Sequence, residues 1–247
     1  MTTPSFAGHL SFIEERSAAL RTAAAAAPVQ ARVPGCPEWH AADLVGHLGE
    51  VQRFWAAIVA AGPAAGPPED VAGRTPEGDL LTWSAACTAD LLAALREAGP
   101  DRPCWTWWGA PGTTGAVARH QAQEAAVHAW DAQQTAGRAE PLPAGPAADA
   151  VDEFLSVSLG AAGSWKSPPA RVGLAADEGP SWLIDLTESG ATATRGEVTA
   201  VPPPGAVLAG SASDLLLVLF GRLDPGALRV TGDADLIRSL LDWAPTD

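Results

Sequence analysis

The chain has 247 residues, and 15 Lys and Arg against 29 Asp and Glu leave a formal net charge of −14. That length is compatible with one large or two ordinary domains and is ample for a sizeable core. An acidic chain without a basic stretch is not expected to bind nucleic acid or anionic lipid through phosphates. No run approaches about 18 apolar residues, so no transmembrane helix is expected, and the opening MTTPSFAGHLSF lacks the basic and apolar regions of a signal peptide. Three dispersed cysteines, Cys36, Cys87 and Cys104, without a CxxC spacing argue against a disulfide framework or a cysteine zinc site. A cytoplasmic protein is the expectation. Lys166 is the only lysine and alanine is abundant, which reads as codon bias and weakens any motif built on alanine runs.

Residues 6–27 carry Phe6, Leu10, Ile13 and Leu20 at helical spacing before Pro28 ends the run. A second helix is expected after Pro37 and on to about Ala61, with Leu44, Leu48, Val51, Trp55 and Ile58 on one stripe. The Gly/Pro-rich segment 61–73 reads as a loop. Asp79 is a plausible N-cap for a third helix that Gly99-Pro100 stops. A Trp-rich loop follows, then a fourth helix from about Thr114 to Ala136, and 146–160 forms a fifth helical segment. Beyond Ser167 the period changes. Segments 170–176, 181–187, 191–197 and 206–210 read as strands. Residues 213–222 read as a helix with Ser213 or Asp214 near its cap, 227–233 as a strand and 234–243 as a terminal helix. The expected architecture is α+β: a helical bundle over residues 1–163, followed by a small α+β domain over 167–247.

His47 lies three residues after Leu44 and four before Val51, so it points toward the core. Glu124 and His128, four apart, share a helix face flanked by Val117 and Val127. A buried carboxylate is expensive unless paired or metal-bound. Two imidazoles and a carboxylate from facing helices would make a three-ligand site with one position open. The plain alternative is a hydrogen-bonded core histidine and an ordinary i, i+4 pair.

Three N-terminal segments, VPGCPEWHAADLVGHLGEV (33–51), HQAQEAAVHAWDAQ (120–133) and DEFLSVSL (152–159), together with LLLVLFGRLDPGALRVTGDADL (215–236), resemble the mycothiol-dependent maleylpyruvate isomerase family. The resemblance implies a DinB-like up-down four-helix bundle with a small α+β domain behind it. It also implies a divalent metal, usually zinc, held at His47, Glu124 and His128, and mycothiol as the thiol cofactor or cosubstrate. Relatives often carry His just before the metal Glu, whereas this chain has Gln123, so a contact beside the ligands differs.

Other residues keep two readings. His120, one turn before Glu124, is a proton carrier or a partly exposed residue at the mouth of the site. Asp131 orients a ligand imidazole or is a solvated acid near the helix end. Arg222 caps the carbonyls of its helix or, as the resemblance suggests, binds a substrate carboxylate through its fork. Trp105, Trp107 and Trp108 wall a cleft or pack the core. No cysteine has a basic neighbour that would favour thiolate, so the nucleophile is expected to be an external thiol.

The expected function is thus a metal-dependent enzyme that uses a low-molecular-weight thiol on small electrophiles, with cis-trans isomerisation of an enoyl carboxylate first. A mycothiol S-transferase on the same scaffold is the alternative, and a non-catalytic ligand- or metal-binding protein is the rival from another class. Metal-assisted hydrolysis ranks last, because no HExxH-like Glu supplies a base.

Overall fold

The computed structural model describes residues 3–64, 66–68 and 78–244. The chain forms two compact units, Pro4–Glu140 and the residues from Pro141 on. Part of the loop expected over 61–73 lies outside the described residues.

Among its described residues the first unit has four helices and a small hairpin: α1 (Phe6–Ala26), β1 (Arg32–Val33), β2 (Cys36–His40), α2 (Ala41–Ala61), α3 (Leu80–Ala98) and α4 (Thr114–Thr135). Side-chain caps start three of the helices. Ser5 accepts from the Gly8 N–H, Asp79 from that of Thr82 and Thr113 from that of Ala116. The second helix begins later than the sequence pattern suggests. Residues 36–40 pair antiparallel with β1, and the Asp43 carboxylate accepts the His40 N–H at 2.8 Å, which fixes the helix start there. Chain punctuated by Pro34 and Pro37 cannot donate a full helical ladder.

Two apolar clusters fill the bundle. One gathers Leu10, Ile13, Trp55, Ile58, Leu91 and Val117; the other gathers Leu20, Leu44, Leu48, Ala125 and Ala129. At Gly49 the backbone of α2 meets the indole of Trp83, close enough that a Cβ would collide with the ring.

The second unit opens with α5 (Ala144–Ser156). Its five-stranded sheet has the order β5-β4-β3-β6-β7, with β3 Ala170–Ala176, β4 Ser181–Thr187, β5 Gly190–Arg195, β6 Ala206–Gly210 and β7 Arg229–Gly232. Pairing is antiparallel except between β3 and β6. Helices α6 (Ala212–Leu219) and α7 (Ala234–Trp243) follow β6 and β7. The strands agree with the expected segments. The cap of α6 does not: Ser211 accepts the Asp214 N–H, while the Ser213 hydroxyl takes the Leu142 N–H at 2.9 Å.

The division between the units falls at Glu140, earlier than the boundary expected from the sequence. Helix α5 packs on α6 through Phe154 and Phe220, whose ring centroids are 5.0 Å apart. Asp152 of α5 also accepts from Trp182 at 2.8 Å and Arg195 at 3.0 Å. Among the described residues the bundle therefore has four helices, and the fifth helical segment belongs with the sheet. No helix among the described residues is long and apolar enough to cross a membrane.

Candidate metal centre

Helices α2 and α4 bring His47 beside Glu124 and His128. One ligand atom from each lies within 4.8 Å of the others. Glu124 Oε1 accepts from His47 Nε2 at 3.1 Å and sits 3.3 Å from His128 Nε2. The two imidazoles meet edge to face with centroids 4.9 Å apart. His128 is buried, Glu124 nearly so, and His47 keeps about a third of its side chain exposed (34%). Access is therefore from the His47 side.

Asp131 decides the orientation of His128. Its carboxylate is fully buried and accepts from His128 Nδ1 at 3.1 Å. This is the contact that fixes a ligating imidazole with Nε2 toward a metal. The solvated-acid alternative for Asp131 is excluded by its burial.

Burial alone would raise the Glu124 carboxyl, but the His128 charge and hydrogen bonds from both imidazoles outweigh it and hold it well below the usual range. Burial likewise opposes a charge on His128, yet the Glu124 charge and the Asp131 bond prevail and push it up to about 9. Glu124 and His128 thus form a charged pair, to which His47 is hydrogen-bonded. Two Nε2 atoms and a carboxylate oxygen are a donor set suited to zinc, and the Asp131 bond adds the usual orienting partner. These residues fit a divalent ion.

A residue not singled out in the sequence completes the surroundings. Trp39, on the hairpin strand β2, lies with its ring 4.9 Å from that of His47 and 6.3 Å from that of His128. With Glu38, Asp43, His47 and Glu50 it lines a groove of about 590 Å³. Only the tryptophan in the segment 33–40 hinted at this wall, because no periodicity marks so short a hairpin.

His120 is buried (9% exposed) rather than partly exposed, ringed by Trp55 at 5.8 Å, Trp107 at 6.0 Å and Trp108 at 5.0 Å. Trp105 and Trp108 pack against the first apolar cluster, while Trp107 is 43% exposed. Arg222 donates from its guanidinium to the Phe220 carbonyl at 2.7 Å, a helix-end contact. Cys87 and Cys104 are buried, and burial pushes both thiols up, away from thiolate at neutral pH.

Comparison with known proteins bears on both units. The family model described as "Mycothiol maleylpyruvate isomerase N-terminal domain" matches residues 10–133, and the "MDMPI C-terminal domain" model matches residues 145–238. No curated protein matches the chain. Among solved structures, a histidine-to-alanine mutant of the mycothiol-dependent maleylpyruvate isomerase is similar with a TM-score of 0.66 at 14% identity, over 95% of this chain and 98% of that one. A double mutant of a sec-alkyl sulfatase gives a TM-score of 0.33 at 12% identity, over 84% of this chain and 44% of that one.

Proposed function

The chain belongs to the mycothiol maleylpyruvate isomerase family, and from that premise we propose a thiol-dependent enzyme whose metal is held by His47, Glu124 and His128. The observation that carries the reading is the meeting of three ligand atoms within 4.8 Å, with Asp131 bonded to the far nitrogen of His128. A divalent ion there, zinc by its donor set, lowers the pKa of a thiol from about 8.5 and so supplies thiolate.

The reaction is reversible addition of that thiol to the conjugated double bond of a cis-enoyl carboxylate. A carbon–sulfur bond forms as the π pair moves onto the conjugated carbonyl to give an enolate, the former double bond rotates as a single bond, and the enolate pair re-forms the double bond as sulfur leaves with its bonding electrons. The trans isomer results and the thiol is regenerated. The chain's own residues prepare this. Asp131 keeps His128 Nε2 directed inward, and Glu124 supplies negative charge against the ion. Trp39 lies beside both imidazoles and forms an apolar wall of the groove. The groove beside His47 carries Glu38, Asp43 and Glu50, with no Lys or Arg among its described lining residues, so it suits a neutral thiol better than an anionic one. Arg222 is proposed as the partner of the substrate carboxylate, on the strength of the resemblance, and His120 as the proton carrier, from its place one helical turn before Glu124.

The test is turnover of maleylpyruvate and simple electrophiles by the zinc-loaded and the metal-stripped protein, each with and without mycothiol. Isomer formation that needs both metal and thiol supports the reading. Stable thiol adducts in place of isomer would make it an S-transferase, and turnover indifferent to thiol would overturn it.

A further inference from the structure

A polar layer crosses the interior of the bundle. Gln52 of α2 donates to Ser17 of α1 at 2.8 Å, Thr88 of α3 donates to Gln52 at 2.7 Å, and Arg21 donates to Thr88 at 3.1 Å. Gln121 of α4 is equally buried, at 0% exposed, yet neither its amide nitrogen nor its amide oxygen has a hydrogen-bond partner among the described residues. A buried polar group left without a partner keeps the cost of its lost hydration uncompensated. A leucine would fill the space without that cost, so the amide needs an explanation.

Its place on α4 supplies one. At 3.6 residues per turn, Gln121 lies about 20° from His128 and about 60° from Glu124 around the helix axis. Side chains lean toward a helix N-terminus, which carries the Glu124 carboxylate back over the turn that holds Gln121. Gln123, the other buried glutamine of this stretch whose amide nitrogen lacks a partner, lies about 100° from Glu124 and faces elsewhere. In the structure, Glu124 Oε1 is engaged by both imidazoles. Once their Nε2 atoms serve a metal, they no longer donate to Glu124, and a ligating carboxylate needs donors of its own.

We propose that the Gln121 amide N–H donates to the Glu124 carboxylate in the metal-loaded protein, making Gln121 a positioning residue of the centre. This rests on the metal reading above. Replacement by an apolar residue of similar volume then has two opposite effects. It removes an unsatisfied amide from the metal-free protein and removes a support from the loaded one.

The experiment compares wild type, Gln121→Leu and Gln121→Met as full chains. The readouts are the melting temperature of the metal-free protein, zinc affinity by competition with a chromophoric chelator, and the visible spectrum of the cobalt(II) form. The expected result is a metal-free melting temperature equal to or above wild type, zinc affinity lowered about tenfold or more, and a shifted cobalt band. Zinc affinity within twofold of wild type and an unchanged cobalt band would overturn the inference. So would a lowered metal-free melting temperature with intact zinc binding, which would assign the amide to the bundle interior. A wild type that takes up no divalent metal would overturn the metal reading itself, before any variant is compared.

Discussion

At the residue scale the centre is a competition between a proton and a metal for His128 Nε2. With His128 pushed up to about 9, the metal-free protein keeps that proton at neutral pH, and a metal must displace it. Zinc affinity is therefore expected to rise about tenfold per pH unit between about 7 and 9 and to level off above, as measured by chelator competition at fixed ionic strength. Stability of the metal-free protein runs the other way. His128 binds its proton more tightly when folded, so its contribution is complete below about pH 6.5 and fades as pH rises through about 9. Glu124 is held low, so its share is present above its ordinary range and is lost on acidification through its depressed value. Asp131→Asn removes the anionic acceptor from His128 Nδ1 and is expected to weaken zinc binding by about 10- to 100-fold while the protein stays folded. Unchanged affinity in that variant would remove Asp131 from the centre. For Arg222, whose guanidinium already serves the Phe220 carbonyl, the two readings separate cleanly. Arg222→Ala is expected to keep metal content and to slow carboxylate substrates by about tenfold or more, equivalent to about 1.4 kcal/mol in barrier. A lower melting temperature with unchanged kinetics would make it a helix cap only.

At the scale of elements, the site depends on how closely α2 approaches its neighbours. Gly49 lies two positions after His47 and faces the indole of Trp83 so closely that no Cβ fits. Gly49→Ala gains up to about 1 kcal/mol in helix propensity, but overpacking against the half-buried Trp83 ring costs about 1–3 kcal/mol. The collision wins. The variant is expected to melt several degrees lower in thermal denaturation, and to bind metal more weakly because α2 must shift. A variant as stable as wild type would mean that Trp83 moves aside without disturbing the helix. The hairpin β1–β2 is the other such element: it places Trp39 over both imidazoles, although its strands are too short for sequence periodicity to reveal.

At the scale of the whole molecule, metal binding and folding are linked. The bundle has its own apolar clusters, so the centre is not needed for folding as it is in a zinc finger. The loaded protein should nonetheless gain stability as RT ln(1 + [L]/Kd), about 2.7 kcal/mol at a hundredfold excess of free ion over Kd. A melting temperature that climbs with zinc concentration, and falls back with a chelator, is the expected result. His47→Ala should abolish the climb; if the climb persists in that variant, the ion binds somewhere else.

Much of this protein was legible before any coordinates. Helix starts such as Asp79, the stripe on α2, the strands of the second unit and the pairing of Glu124 with His128 on one face are local properties, set by spacings of 2, 3 or 4 residues that any chain of this sequence carries. His47 was legible as well, as a histidine turned toward the core on its own helix, and the resemblance to the family implied that the three residues hold a metal. The tertiary structure decided what local spacing does not encode. It brought His47 and Glu124, 77 positions apart, to 3.1 Å, buried Asp131 as the partner of His128 and set Trp39 against the pair. It also gave α5 to the sheet unit and left the Gln121 amide without a partner among the described residues. An amphipathic helix specifies which of its faces is buried, but any apolar surface of matching shape satisfies that demand. Only packing chooses the partner, and the chemistry of the centre follows from that choice.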